Sequence, residues 1–258
     1  MSASEALTYA FASPDGELCG VARLGQAEGR ESGLVLLFRG GEPVAVSADG
    51  DGSAGLTAGG DGPWRLSYEG EVGFELAFEP VSPVIDLPAG SAAAKAGGMQ
   101  GSDVVCRVSG SVGGAPFAGM GQRGRSWGDP DWDTMLLART LTAWFDDGRA
   151  VSAVAVRPAK ASSHAEEAVT ALLVEEDGVR EIADPRLSTT YDGAECQRAA
   201  GLELYVGEED EFPLRAAGEV VAGTTLDLGR LRLDCAFFRW RMQGHEGIGR
   251  YDVLRKLS

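Results

Sequence analysis

Gly121-Gln122-Arg123-Gly124-Arg125-Ser126-Trp127-Gly128-Asp129-Pro130-Asp131-Trp132 lies near the middle of the chain and places two arginines, two tryptophans and two carboxylates within twelve residues. Nothing else in the chain is so dense in groups that are costly to bury. Charged side chains beside large aromatics in a strand need pairing or water. If residues 119–127 form a strand, Arg123, Arg125 and Trp127 share one face, and Gln122, Gly124 and Ser126 share the other. Asp129, Asp131 and Asp133 follow after the break at Gly128 and Pro130. An Arg–Asp fork is planar and bidentate, and Trp127 or Trp132 can stack on a guanidinium. Two readings follow: a clasp locking two β-units together, or the floor of a ligand pocket. They are compatible, and the residues alone leave both open.

Outward from this stretch the chain reads as β. Residues 74–79 alternate, with Phe74, Leu76 and Phe78 on one face and Glu75 and Glu79 on the other. Residues 32–39 stop at Gly40-Gly41 and 44–48 resume, which predicts a hairpin. A long β-rich run over 135–145 turns at Asp146-Asp147-Gly148 into 150–157. Further strands are expected over 104–110, 202–206, 219–223, 231–242 and 251–254. Turn signals recur every 8–15 residues or so, the spacing of sandwiches and barrels. Helical signal is thin: 164–173 could hold a turn or two, and 91–95 is alanine-rich without convincing caps. Residues 86–101 read as a linker, a surface excursion or a lid.

The bulk numbers narrow the function. The chain has 258 residues, 44% hydrophobic and 24% charged, with a formal net charge of −16. The charge and the lack of a basic cluster argue against nucleic acid and against anionic membrane surfaces. There is no apolar run of about 18 residues to span a bilayer, and residues 1–6 do not read as a secretory leader. The expectation is a cytoplasmic protein. Cys19, Cys106, Cys196 and Cys235 are scattered, without metal-ligand spacing, so free thiols and no metal are expected. His164 sits in a polar stretch and His245 in an expected turn, and neither accompanies a nucleophile elbow. No glycine-rich phosphate motif opens a helix, so no cofactor is expected. Two further clusters stand out. Tyr191, ending 187–192, would place a phenol at a barrel mouth or simply end a strand. Trp240, within 237–242, would be a core residue or a ligand contact.

At these residues the chain resembles a known family. Trp127-Gly128, then Trp132, the long strand over 135–145, the Asp147-Gly148 turn and a strand ending at Arg157 are similar to the start of the second half in the AttH-like and hydroxyneurosporene-synthase-like (carotenoid 1,2-hydratase) lipocalin-like proteins. The resemblance covers most of the chain in order and points to an uncharacterised branch. It implies an all-β fold of two lipocalin-like (calycin-like) antiparallel barrel or sandwich units side by side, divided here as 1–120 and 121–258. It also implies a pocket for a small hydrophobic molecule such as an isoprenoid, lipid or polyketide, and cofactor-independent hydratase, isomerase or cyclase activity. A non-catalytic carrier is the alternative. Many relatives carry Asp-His before the Trp-Gly element, where this chain has Gly124-Arg125. The acid role would then fall to Asp129 or Asp131, raised by neighbouring tryptophans in an apolar pocket. Arg125 or Arg123 would orient it or bind a substrate carboxylate. Arg123, Trp127, Trp132, Tyr191 and Trp240 complete the expected ligand contacts.

Overall fold

A computed structural model describes residues 4–27, 29–49, 55–161, 163, 166–207 and 209–257. The strands are β1 (Ser4–Ala12), β2 (Leu18–Ala27), β3 (Arg30–Arg39), β4 (Glu42–Asp49), β5 (Leu56–Gly59), β6 (Trp64–Tyr68), β7 (Phe74–Pro80) and β8 (Ile85–Asp86). A short helix α1 (Ala92–Gly97) follows, then β9 (Met99–Val112), β10 (Ala115–Gly128), β11 (Met135–Phe145), β12 (Ala150–Pro158), β13 (Ala168–Glu175) and β14 (Gly178–Glu181). β15 (Asp184–Tyr191), β16 (Gln197–Tyr205), β17 (Leu214–Asp227), β18 (Leu231–Met242) and β19 (His245–Lys256) end the order.

These strands form two curled antiparallel sheets, each a half-barrel. The first runs β4-β3-β2-β1-β10-β9-β7-β6-β5, with β8 added to β9, and the second runs β14-β13-β12-β11-β19-β18-β17-β16-β15. The two paths have the same design. Four strands meander outward from the middle, and the last strand returns to pair with the first. The all-β, two-unit architecture is therefore present as expected. The compact units are Met1–Asp86 with Gln100–Asp129, and Leu87–Met99 with Pro130–Ser258. The division expected at 120/121 falls inside β10. Met120 to Gly128 pair residue by residue with Ala12 to Ser4 of β1, so the chain cannot be cut there without unpairing a central strand.

Alternating burial explains most strands. In β7, Phe74 and Leu76 are 3% exposed and Phe78 fully buried, while Glu75 and Glu79 face water. Gly40 and Gly41, at φ 59° and 86°, turn β3 into β4, a left-handed pair that right-twisted hairpins select. The first core centres on Tyr9, Phe11 and Phe78, with ring centroids 5.0 Å apart for Tyr9–Phe78 and 6.4 Å for Phe11–Phe78, both edge-on. Burying each such ring contributes about 1.5–3 kcal/mol before losses elsewhere. The two ends of the second sheet are joined at residues 182–183, where the Ile182 amide donates to the Ala171 carbonyl of β13 and the Ala183 amide to the Tyr205 carbonyl of β16, both at 3.0 Å. Its core joins Leu141, Leu173, Leu202, Phe238 and Trp240.

Three local expectations differ. Residues 86–101 are not a free loop: α1 is capped by Ser91, whose Oγ accepts from the Ala94 amide, and closed by Gly98 at φ 59°. Ala93 and Ala94 are buried, and the Ala93 amide donates to Thr170 Oγ1 at 3.2 Å. Residues 168–173 are strand rather than helix, because β13 is buried on both faces over Thr170 to Val174 and loses its alternation. His245 opens β19 instead of lying in the turn, which is made by Gln243 and Gly244. His164 lies outside the described residues. Among the described residues no helix is long and apolar enough to cross a membrane.

Candidate functional site

The register of β1 on β10 decides which way the central motif faces. Tyr9 lies opposite Arg123, Leu7 opposite Arg125 and Glu5 opposite Trp127. Directly opposed residues share a face. Tyr9 and Leu7 belong to the first core, so Arg123, Arg125 and Trp127 all project onto the concave side of the first sheet. Gln122 lies on the other face, where its Nε2 donates to Asp103 Oδ1 at 3.2 Å.

On the concave side the Arg123 guanidinium lies over the Trp64 ring, 4.6 Å from its centroid. Its Nε is buried and has no hydrogen-bond acceptor, and no carboxylate among the described residues pairs with it. Cys106 is close below. Burial pushes this thiol up to about 12, against the pull of the Arg123 amide and guanidinium, so it stays neutral. Arg125 is different. Its Nε donates to Glu5 Oε1 at 2.7 Å, and that pairing raises its already high pKa. Arg125 also lies 5.3 Å from the Trp127 ring centroid, and Trp127 Nε1 donates to Gln100 Oε1 at 3.2 Å. Leu7, Leu24 and Trp64 are part-buried against this core, with Tyr9 at 2% exposure and Phe78 at 0% as its floor.

The expected Arg–Asp forks do not form, because the arginines turn inward while the aspartates follow the end of the strand. Asp129 and Asp131 are exposed, in the stretch between β10 and β11. Asp131 instead shapes a turn, with Oδ1 accepting from the Asp133 amide at 2.9 Å. Asp133 is held by Lys256 at 2.7 Å and Arg230 at 3.0 Å, and the lysine chiefly keeps its carboxyl below the usual range. Trp132 packs with Ala93, Met135 and Val156 in a small cluster around α1. Trp240 is a core residue: it is fully buried, stacks on Phe238 at 5.7 Å, and fits because a Cβ at Gly218 would come within 2.7 Å of its ring. Tyr191 is part-buried at the end of β15, under the Arg255 guanidinium at 4.7 Å.

The second sheet carries a polar network that the sequence reading missed. Arg139, 2% exposed, reaches from β11 across to β15. Its Nε donates to Glu167 Oε1 at 2.9 Å, Nη1 to Thr189 Oγ1 at 2.8 Å and to Tyr251 Oη at 3.3 Å, and Nη2 to the Leu187 carbonyl at 3.3 Å. Nη2 also pairs with Glu167 Oε2, and Thr189 bonds the Tyr251 hydroxyl. Burial acts against the Arg139 charge, but Tyr251 and Glu167 outweigh it and raise the pKa. Burial likewise pushes the Tyr251 phenol up, against the opposing pull of Arg139. Beside this network, buried Asp234 accepts from Thr225 Oγ1 at 2.6 Å and Arg232 Nε at 2.9 Å, with Arg255 Nε at 3.4 Å. The available signal was Arg139 itself, a charge at an inward position of the apolar series Leu137, Leu141, Ala143.

For a metal, the described residues bring together Asp146, Asp147 and His245, with one ligand atom each within 4.8 Å of the others. The group is largely exposed, and Arg149 Nε already binds Asp147 at 2.5 Å. Partial burial acts to raise the Asp147 carboxyl, but the Arg149 amide and guanidinium overcome it and hold the group below the usual range.

The family of the chain follows from a match spanning residues 2–256 to the description "Domain of unknown function (DUF7064)". The chain belongs to that family. No curated protein sequence matches it. Among solved structures it is similar to an AttH from Nitrosomonas europaea, with a TM-score of 0.71 and 15% identity over 98% of this chain and 91% of that one. It is also similar to CghA, with a TM-score of 0.66 and 12% identity over 100% of this chain and 89% of the other. Kievitone hydratase from Nectria haematococca gives a TM-score of 0.65 and 9% identity over 98% and 88%. At these identities the likeness is one of fold: the DUF7064 chain shares the two-unit, AttH-like lipocalin architecture.

Proposed function

We propose that the chain binds a small hydrophobic molecule on the concave face of its first sheet, and acts on it as a cofactor-independent hydratase, isomerase or cyclase. The observation that carries this reading is the composition of that face: Trp64 lies under the Arg123 guanidinium, Leu7, Leu24 and Trp127 are part-buried, and Tyr9 and Phe78 are buried. Part-buried aromatics beside buried apolar side chains suit a hydrophobic guest. Fold-level analogy with kievitone hydratase supports the reaction class. Arg123 would stabilise negative charge developing on the substrate as water adds or a proton is removed.

A carrier without chemistry is the second reading. It is favoured by Asp129 and Asp131, which are exposed and lie beyond the end of β10 rather than within the strand that carries Arg123. Native mass spectrometry of the purified chain, followed by incubation with any co-purifying molecule, separates the two. An enzyme gives a mass gain or loss of one water, or an isobaric product with a changed retention time. A carrier returns its ligand unchanged. A chain carrying and binding no hydrophobic molecule refutes both.

A further inference from the structure

The two sheets treat their inward arginines differently, and the difference names a ligand class. Resting on the binding reading above, we propose that the molecule held on the first sheet carries a carboxylate on an apolar body, and that Arg123 is its anchor. A guanidinium has five N–H donors in a fixed fork. In the second sheet Arg139 finds acceptors in Glu167, Thr189, Tyr251 and the Leu187 carbonyl. Arg123 has the Trp64 face, its buried Nε has no acceptor, and no carboxylate among the described residues pairs with it. A charged donor partly withdrawn from water without an acceptor is costly, and a ligand acceptor would remove that cost.

The nearby acids do not supply it. Glu5 is committed to Arg125 at 2.7 Å, and Asp103 accepts from Gln122 on the opposite face. Cys106 remains a thiol. A carboxylate matches the planar fork bidentately, while Leu7, Leu24, Trp64 and Trp127 take an apolar chain or ring.

Retinoic acid and retinol share one apolar body and differ in the head group. Titrating the full chain with each, read by tryptophan quenching, should show the acid binding at least about tenfold more tightly. Arg123→Gln should abolish that preference and leave retinol affinity within about twofold, with Arg123→Lys restoring part of it. Arg107→Gln, at an exposed pair with Glu79, should change neither. If the wild-type chain binds acid and alcohol equally, or the preference survives Arg123→Gln in a chain with an unchanged melting curve, the carboxylate anchor is overturned while the binding reading stands. The wild-type comparison holds even where a variant fails to fold. Binding of neither probe overturns the hydrophobic-ligand reading itself.

Discussion

Replacing Glu167 by glutamine should be among the most damaging single-atom changes available in the second unit. Arg139 and Glu167 are 2% and 3% exposed at their side chains, and two nitrogens of the one face two oxygens of the other. Arg157 approaches the same carboxylate at 3.9 Å. Glutamine keeps the shape but removes the negative charge, leaving Arg139 buried with only neutral acceptors. Breaking one side of a buried pair costs about 3–5 kcal/mol, a shift of roughly two to three and a half powers of ten in the folded-to-unfolded ratio. The exposed pair Arg107–Glu79, 66% and 64% exposed, should contribute no more than about 1 kcal/mol. Urea denaturation at neutral pH measures both, and hydrogen exchange should place the Glu167→Gln loss in β11, β13 and β15. The double replacement Arg139→Met with Glu167→Leu removes both charges and should be less destabilised than Glu167→Gln alone. The reasoning is refuted if Glu167→Gln costs no more than the surface pair, or if the double replacement is the worse of the two.

The remaining expectations are narrower. Trp240→Ala should cost about 3–5 kcal/mol in urea melts, because the fully buried indole leaves a cavity against Gly218 and Phe238; a small loss accompanied by lost ligand binding would return Trp240 to the site. The Asp147 carboxyl lies below its unfolded value, so its contribution is present above about pH 3.9 and is lost as pH falls through the folded value; Asp147→Asn should flatten the acid limb of a stability–pH curve, and an unchanged limb would count against it. In the native chain iodoacetamide at pH 8 should label Cys196, which is part-exposed, and spare Cys106, which is fully buried with its thiol pushed up to about 12. Peptide mapping that finds Cys106 labelled first would contradict the burial.

What could be read from the sequence depended on whether the two faces of a strand differ. Phe74, Leu76 and Phe78 stand against Glu75 and Glu79 because one face of β7 is dry and the other wet, so alternation marks the strand. β13 has no such contrast: Thr170, Ala171, Leu172, Leu173 and Val174 are all buried, and an apolar run of that composition suits helix or strand equally. α1 escaped for another reason. Six residues are too few to display a 3.6-residue period, and the helix rests on the Ser91 cap and the packing of Ala93 and Ala94.

The site shows the same limit more sharply. Arg123 and Arg139 look alike in sequence, each an arginine at an inward position of a long strand. Alternation places Arg123, Arg125 and Trp127 on one face, and the register of β1 on β10 makes that face the concave one. No local rule says which arginine is satisfied. Glu167 reaches Arg139 from 28 residues away, Thr189 from 50 and Tyr251 from 112, whereas Arg123 meets Trp64, its buried Nε has no acceptor and no carboxylate among the described residues pairs with it. The aspartates nearest to Arg123 in the sequence, Asp129 and Asp131, lie beyond the end of β10, where the chain has left the concave face. Proximity along the chain therefore suggested a fork that strand direction forbids. Among the described residues the distant pairing that completes Arg139 has no counterpart at Arg123, and an inward cation left in that state is what a bound acid would complete.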